Sequence, residues 1–262
     1  MKKYELTSET KMVCGITLHR IRALIDIKRW NVKSGDMGGW IESENNLDQS
    51  GEAWVSGEAI VFDEARVLDK AMVFGEAWVS GEAWVFGEAR VFDEARVFGE
   101  ARVFGKALVS GEARVSGEAR VSGEARVSGE ALVSGEAIVF DEAMVFGEAW
   151  VFGEAWVFGE ARVFDEARVS GEARVSGEAW VSKCTHMLTV GRIGSRNDIT
   201  TFFQTRSESG FSISVSCGCF YGTLAEFRRK VAETHGDNKH GRVYQLAADL
   251  AEAQIELDEE AQ

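Results

Sequence analysis

Proline is absent from the 262 residues, and cysteine, histidine and tyrosine are scarce, with four, four and three copies. Without proline, every residue keeps the backbone N–H that a hydrogen-bonded β-ladder needs. The cysteines are scattered, which argues against a disulfide framework and favours a reducing cytosol. The chain also lacks an apolar run that would form a secretion signal or a membrane span. We therefore expect a cytoplasmic protein that makes no contact with a membrane.

One six-residue unit is repeated 22 times without a gap over residues 51–182. The unit reads Gly/Asp-Glu-Ala-X-Val-Ser/Phe, and residues 111–116 are one example. Side chains alternate along a strand, so Ala and Val share one face while Glu, X and Ser/Phe share the other. Only the Ala/Val face is uniform, as a packed interior requires, and Gly or Asp suits a turn. The period predicts one strand and one turn per unit, with three strands closing a triangular coil.

An aliphatic residue followed four positions later by a small one recurs along the whole run. Val55 precedes Ala59 in this way, and Val61 precedes Ala65. This spacing resembles that of the hexapeptide-repeat left-handed β-helix family. The resemblance implies that the coils are left-handed, which the period alone does not indicate.

The aliphatic register also continues outside the run. It extends forward to Ile199 and backward to Ile41, with a two-residue insertion at Gln49 and Ser50. An open coil exposes unpaired backbone, so both ends need caps. We predict a mainly β fold with a left-handed parallel β-helix of about nine coils at its centre. Its three parts are a short β N-terminal cap (1–36), the solenoid (37–200) and a small α+β C-terminal unit (201–262).

The C-terminal unit is predicted to contain a hairpin followed by two helices. Thr223 and Glu226 have the spacing of a capping box, which begins the first helix, and Gly236 suits its end. The second helix is expected to begin near His240. Its predicted core face consists of Val243, Leu246, Ala247, Leu250 and Leu257.

The net charge is −14, and the run carries most of it, with 20 Glu and 5 Asp against 10 Arg and 2 Lys. This charge argues against direct binding of nucleic acid. Two interpretations of the charge are open. It either keeps the rod soluble, or it makes the rod an imitation of nucleic acid that occupies a basic groove. In ten units an arginine follows the glutamate by two residues on the same face. We expect local pairing between them to relieve the repulsion of stacked carboxylates.

Six Trp and eleven Phe occupy outward positions of the run, which is unusual for a lone soluble rod. Sorting the units by three assigns them to the faces of the triangle, and one face is the most apolar. This face either mediates self-association, for which the family resemblance implies a trimer, or is shielded by neighbouring arginine stems. The predicted face consists of Leu68, Trp84, Phe86, Phe104, Ile138, Phe140, Trp156 and Phe158.

The residues that could hold a metal lie outside the run. Cys217 and Cys219 are followed by His235 and His240, and two thiolates with two imidazoles make a tetrahedral zinc set. The spacing Cys-X-Cys is tighter than the usual one, so the alternative is two strand cysteines beside a solvated turn. Zinc is the one cofactor that this pattern suggests.

Many hexapeptide proteins are acyltransferases with a histidine as general base, but residues 51–182 contain no histidine, cysteine or inserted loop. The flanks, Gly-Gly-Trp-Ile-Glu-Ser-Glu-Asn-Asn-Leu at 38–47 and Cys-Gly-Cys-Phe-Tyr-Gly-Thr-Leu-Ala-Glu-Phe at 217–227, resemble uncharacterised bacteriophage and prophage proteins. We therefore predict a non-enzymatic scaffold or protein-binding module with an unknown host or phage protein as partner. The alternatives are a phage inhibitor that blocks a host nucleic-acid-binding or defence protein through its acidic surface, and a degenerate acyltransferase.

Overall fold

A computed structural model, which describes residues 2–259, shows a parallel β-solenoid that non-repetitive segments close at both ends. Strands β1 (Tyr4–Val13) and β2 (Ile16–Ala23) form an antiparallel hairpin, and β3 (Met37–Ile41) begins the parallel ladder. Each of the 22 repeats then contributes one two-residue strand, and these are β4 to β25. In chain order they are Trp54–Val55, Ile60–Val61, Arg66–Val67, Met72–Val73, Trp78–Val79, Trp84–Val85, Arg90–Val91, Arg96–Val97, Arg102–Val103, Leu108–Val109, Arg114–Val115, Arg120–Val121, Arg126–Val127, Leu132–Val133, Ile138–Val139, Met144–Val145, Trp150–Val151, Trp156–Val157, Arg162–Val163, Arg168–Val169, Arg174–Val175 and Trp180–Val181.

The C-terminal unit is a four-stranded antiparallel sheet with two α-helices packed on it. Its strands, paired in chain order, are β26 (Met187–Ile193), β27 (Asp198–Ser207), β28 (Gly210–Cys217) and β29 (Phe220–Thr223). The helices are α1 (Leu224–His235) and α2 (Lys239–Gln254), and short 3₁₀ turns occur at Lys28–Trp30, Glu44–Asn46 and Cys184–His186.

Every third strand of the solenoid lies in the same sheet. Val97, for example, pairs in parallel with Val79 on one side and Val115 on the other. The three sheets together make about eight turns, which confirms the predicted solenoid class; the handedness stays a prediction. Every alanine and valine at the two inward positions of the repeat is at most 1% exposed. The uniform face of the repeat is therefore the core, as expected.

The first residue of each unit lies at a corner of the triangle, where the backbone has a positive φ and approaches the next coil closely. Gly111 has φ +65°, and a Cβ placed there would lie 2.9 Å from the amide nitrogen of Gly129 in the next coil. Five corners carry Asp instead, also at positive φ. Asp93 is one of them, and its Oδ2 accepts a hydrogen bond of 3.3 Å from the N–H of Gly111. Asp tolerates the left-handed conformation better than most residues, and here it also binds the next coil.

The two-residue insertion predicted near Gln49 is confirmed by the strand register. Ile41 pairs with Val61, whereas partners within the run are 18 residues apart. The inserted Gln49 fixes the first strand to the solenoid. Its Oε1 accepts from the N–H of Lys3 at 2.9 Å, and its Nε2 donates to the carbonyl of Tyr4 at 3.2 Å.

The N-terminal cap buries two polar side chains over the first coil. Tyr4 is fully buried, and its hydroxyl donates to the carbonyl of Leu47 at 2.6 Å. Lys3 is 1% exposed, and its Nζ donates to the carbonyl of Ala53 at 2.8 Å. Burial disfavours the ammonium form and lowers the pKa of Lys3 to about 8.

At the other end, the structure departs from the predicted boundary of the solenoid at residue 200. The parallel ladder stops at Val181, because Met187–Ile193 pairs antiparallel with β27 instead of continuing the coil. Strand β27 also crosses the last coil, where the N–H of Arg206 donates to the carbonyl of Glu178 at 3.2 Å. Phe203 of β27 is fully buried in the core of the rod. The C-terminal unit therefore covers the open edge that a solenoid would otherwise expose.

The helices begin as predicted, but the core face of α2 is different. Thr223 and Glu226 form the capping box, with a bond of 3.2 Å from the Glu226 N–H to the Thr223 hydroxyl. Leu246 and Leu250 are 67% and 50% exposed, and Leu257 is 43% exposed, so their assignment to the core was wrong. The buried residues of α2 are Gly241, Tyr244, Ala247, Ala248 and Ala251. Small side chains let this helix approach its neighbours closely, which a reading based on hydrophobicity alone does not detect. No helix within residues 2–259 is both long and apolar enough to cross a membrane.

We expect Val115→Asp to destabilise the rod by more than about 4 kcal/mol, because it places an unpaired carboxylate in a dry, narrow core. Arg114→Ala, one residue earlier and on the exposed face, should change the free energy of unfolding by less than about 0.5 kcal/mol. Urea unfolding measures both. Equal losses for the two variants would show that the inward and outward faces are assigned wrongly.

Lys3 should make the stability of the cap depend on pH. Its folded pKa of about 8 lies below the 10.5 of a free lysine, so the unfolded chain holds more protons between these values. Stability should therefore rise with pH through this window, by about 1–3 kcal/mol relative to a Lys3→Met variant, whose side chain does not titrate. Thermal unfolding of both proteins from pH 7 to 10.5 tests this. If the stabilities of the two proteins changed with pH in the same way, Lys3 would not be buried as described.

Candidate functional site

The structure brings all eight residues of the predicted apolar face onto one sheet, which contains β6, β9, β12, β15, β18, β21 and β24. They form two columns along the rod, one within the strands and one just after them. The strand column contains Trp84, Ile138 and Trp156, and the second column contains Leu68, Phe86, Phe104, Phe140 and Phe158. We call this set the aromatic face.

Most of its rings stack on one another along the rod. Phe86 lies parallel to Phe104 with centroids 4.9 Å apart, and Phe140 lies on Phe158 at 5.0 Å. Trp84 meets Phe86 edge-on at 6.5 Å. The two Phe–Phe distances are close to the rung spacing of the ladder, so this stacking follows directly from the parallel register, whereas Trp84 and Phe86 belong to the same rung. Only the two tryptophans of the aromatic face are exposed, each at 39%.

Arginines cover the flat sides of these tryptophans. Arg66 and Arg102 lie over the ring of Trp84 at 5.5 and 5.9 Å, and Arg174 lies over Trp156 at 5.3 Å. Each pair contributes a cation–π interaction of about 0.5–1 kcal/mol at an exposed site. The shielding that the sequence left open as an alternative is therefore present. Self-association along the aromatic face stays a prediction.

A second face also exposes aromatic side chains, which the count of apolar residues missed. Phe98, Trp150 and Phe152 are 40%, 41% and 38% exposed on the sheet that contains β3. The sequence does contain a signal for this. Serines precede and follow Phe98 and Phe152 by 18 residues, so neither ring has an aromatic neighbour on the next rung. Phe98 and Phe152 are exposed because the serines above and below them in the column are too small to cover their rings.

The corners carry columns of glutamate, and two of the three columns contain no lysine. We call these two columns the acidic edges. They consist of Glu58, Glu76, Glu94, Glu112, Glu130, Glu148 and Glu166, and of Glu64, Glu82, Glu100, Glu118, Glu136, Glu154 and Glu172. Of the glutamates in the acidic edges, only the end members Glu58 and Glu172 have a cation within 4 Å in the part of the chain that the structure describes. Neighbouring carboxylates in an edge belong to rungs about 4.8 Å apart.

The third corner is partly neutralised. Lys106 lies 2.7 Å from Glu124, and Lys70 lies 3.4 Å from Glu88. The hydrogen bond from Lys106 holds the pKa of the Glu124 carboxyl below its usual value. The expected pairing of glutamate with arginine inside the repeats was wrong, because no repeat arginine in residues 2–259 lies within 4 Å of a carboxylate. Many of these arginines lie over tryptophan rings instead, so the acidic edges are unpaired between their end members Glu58 and Glu172.

Three of the four predicted zinc ligands line one pocket of the C-terminal unit. They are Cys217, Cys219 and His235, while His240 does not line it and its ring centroid is 6.0 Å from that of His235. No group of three or more His, Cys, Asp or Glu side chains within residues 2–259 is arranged to hold a metal ion. The geometry thus gives the zinc site no support, and the site stays a prediction.

The two thiols in this pocket have other partners. Arg196 Nη1 donates to the Sγ of Cys219 at 3.1 Å, and Thr200 Oγ1 donates to the Sγ of Cys217 at the same distance. Arg196 comes from the loop after β26, which the sequence did not indicate as part of a site. The pocket is therefore built from four separate segments of the C-terminal unit.

His186 is the one fully buried histidine of the described chain, and it contributes to the C-terminal cap. Its Nδ1 lies 3.3 Å from both the N–H and the hydroxyl of Ser182. Its Nε2 lies 3.4 Å from Asp258. Burial lowers the pKa of His186, although the nearby carboxylate opposes this. Its position under the C-terminal segment indicates a structural role.

Comparison with protein-family models gave no match, and comparison with curated proteins gave no match either. The function must therefore be inferred from the surfaces described above.

Proposed function

We propose that the protein is a non-enzymatic scaffold or protein-binding module, a left-handed hexapeptide-repeat rod of the phage or prophage type. The observation that supports this most directly is the aromatic face. Eight apolar side chains form two straight columns on a sheet whose position is set by the backbone ladder. Both ends of the rod are covered by non-repetitive segments, so its long sides are the surfaces that remain for partners.

The partner that best fits the aromatic face is a second copy of this chain. Trp84 and Trp156 are four rungs apart in one column, which places them about 19 Å apart along the rod. Their flat sides are covered by arginines, so a partner would contact ring edges and the neighbouring stacked phenylalanines. A flat sheet with a regular spacing is well suited to pack against an identical sheet. The resemblance to hexapeptide proteins favours a trimer.

We expect Trp84→Glu combined with Trp156→Glu to convert the oligomer to monomer, because both substitutions place a charge in the proposed interface. Light scattering across a concentration series measures the assembly state. The matched control is Trp150→Glu, since Trp150 is 41% exposed on a different face and stacks with Arg168 at 4.7 Å.

The control variant should keep the assembly state of the wild-type protein. A wild-type chain that is monomeric at high concentration would contradict self-association. Loss of assembly in the control as well would mean that the aromatic face is not the specific contact.

A second candidate function is inhibition of a host nucleic-acid-binding or defence protein. The observation that favours it is the unpaired state of the acidic edges. Both edges flank the sheet that contains β3, so that this face lies between two columns of carboxylates. A basic groove that binds the phosphates of a duplex would be attracted to such a surface.

We expect a host DNA-binding protein captured by the rod to be released by high salt and by duplex DNA, because the attraction is electrostatic. Glu130→Gln with Glu148→Gln, both on an acidic edge, should weaken the captured complex about three- to tenfold. The control pair is Glu142→Gln with Glu160→Gln on the third corner. Binding that resists salt, or that weakens equally in both pairs, would exclude this function.

The degenerate acyltransferase has no observation of its own in its favour. Histidines of the chain lie only in the flanking segments, at positions 19, 186, 235 and 240. His186 is buried, and His235 lies in the C-terminal unit rather than on a face of the rod. Detection of a bound acyl thioester in the purified protein would be the result that revives this alternative.

A further inference from the structure

A pocket of about 410 Å³ opens in the C-terminal unit between the β28–β29 turn, helix α1 and the loop after β26. Its floor is apolar. Phe227, Val231 and Tyr244 line it and are 3%, 5% and 5% exposed. Phe227 meets the ring of Tyr244 edge-on at 5.7 Å, and the ring of Phe220 lies tilted against it at 5.5 Å. A concave pocket of this size with an apolar floor and a few polar groups is typical of small-molecule sites.

The rim of the pocket is basic. Arg196, Lys230 and His235 line it, and none of the described residues that line it is Asp or Glu. This is notable in a chain whose net charge is −14. The nearest carboxylate to Lys230 is that of Glu233, at 3.7 Å on the same helix, and both side chains are well exposed. Such a pair contributes about 0–1 kcal/mol, so it would yield easily to a ligand.

Arg196 is equally available to a ligand. Its guanidinium donates to the thiol of Cys219, which is a weak acceptor. No carboxylate lies within 4 Å of it among residues 2–259. A guanidinium presents several donors in one plane, which suits a carboxylate or phosphate oxygen pair.

The loop that carries Arg196 is closely fitted to the pocket. Gly194 has φ +69°, and a Cβ on it would lie 1.8 Å from the ring of Tyr244. Only glycine allows the loop to pass this close to the buried ring. The next residue, Ser195, places its hydroxyl 3.5 Å from Nε2 of His235. These contacts, to Tyr244 of α2 and His235 of α1, fix the loop that places Arg196 at the pocket.

We propose that this pocket binds a small organic anion with an aromatic body. The ring of the ligand would pack on Phe220, Phe227 and Tyr244, while its carboxylate or phosphate would lie between Arg196 and Lys230. The acidic rod repels anions, so the basic rim is a local exception in the field of the protein. This site is separate from the aromatic face and the acidic edges, and it stands whether or not those surfaces bind a partner.

Alkylation of Cys219 gives a direct test, because this exposed thiol lines the pocket. The full-length protein is treated with N-ethylmaleimide, and the modified peptides are followed by mass spectrometry. The probes are phenyl phosphate, phenol, which lacks the charge, and inorganic phosphate, which lacks the ring. Cys14, also exposed but in the N-terminal hairpin, is the internal control.

Phenyl phosphate should slow the alkylation of Cys219 in a saturable way, at a concentration at least tenfold lower than either phenol or inorganic phosphate, and should leave Cys14 unaffected. Lys230→Gln should raise the half-protecting concentration at least fivefold. Arg229→Gln, whose side chain is adjacent on the same helix but outside the pocket, should not change it.

Protection in each variant is measured relative to the alkylation rate of that same variant without ligand, so any effect of the substitution on the reactivity of Cys219 itself is removed from the comparison. Equal protection by phenol would show that the pocket binds rings without recognising charge. The proposal would be overturned if phenyl phosphate gave no protection, or if its half-protecting concentration were the same in Lys230→Gln as in the wild-type protein.

Discussion

The parallel stacking of identical coils is the constraint on which the rest of the structure depends. Each inward valine and alanine lies over the same residue of the neighbouring coil, so the core is continuous and narrow. The corners must then approach one another as closely as the strands do. A Cβ at Gly111 would lie 2.9 Å from the next backbone, which explains why most corners are Gly. The Asp corners tolerate the left-handed conformation, and that of Asp93 bonds to the next coil. Nearly all sequence variation is thereby confined to the outward positions.

The same stacking determines how the surface charges are shared. An outward residue has its nearest neighbours in the rungs above and below, rather than two positions along its own strand. Arg102 therefore lies over Trp84 of the preceding coil and not beside its own glutamate. The arginines therefore contact aromatic rings rather than the glutamates of the acidic edges. One geometric rule thus produces both surfaces to which we assign a function.

The sequence was sufficient for the features that repeat. The period of six indicated the strands, the corners and the buried face, and the capping box at Thr223 indicated the start of α1. It was insufficient where the outcome depends on neighbours that are distant in the chain. Leu246 and Leu250 were assigned to the core because they are apolar, yet the close approach of α2 is made by alanines. The exposure of Phe98 depends on serines 18 residues away on each side, a signal that the sequence contains but that a count of apolar residues per face does not use. The basic pocket could not be predicted, since Arg196, Cys219 and Lys230 come from segments whose packing no periodic pattern describes.

Because three units complete one coil, the number of units determines the side of the rod on which each downstream residue lies. Addition or loss of three units changes its length by one turn and leaves every downstream residue on its original side. Addition or loss of a single unit instead rotates everything downstream by about a third of a turn about the long axis, since three units complete a coil. The C-terminal unit is attached to the last coil through β27, so it would swing to a different side of the rod. In lineages where such units duplicate or are lost, changes in multiples of three would conserve the relative placement of the two ends, while other changes would redirect the C-terminal unit and the pocket that it carries.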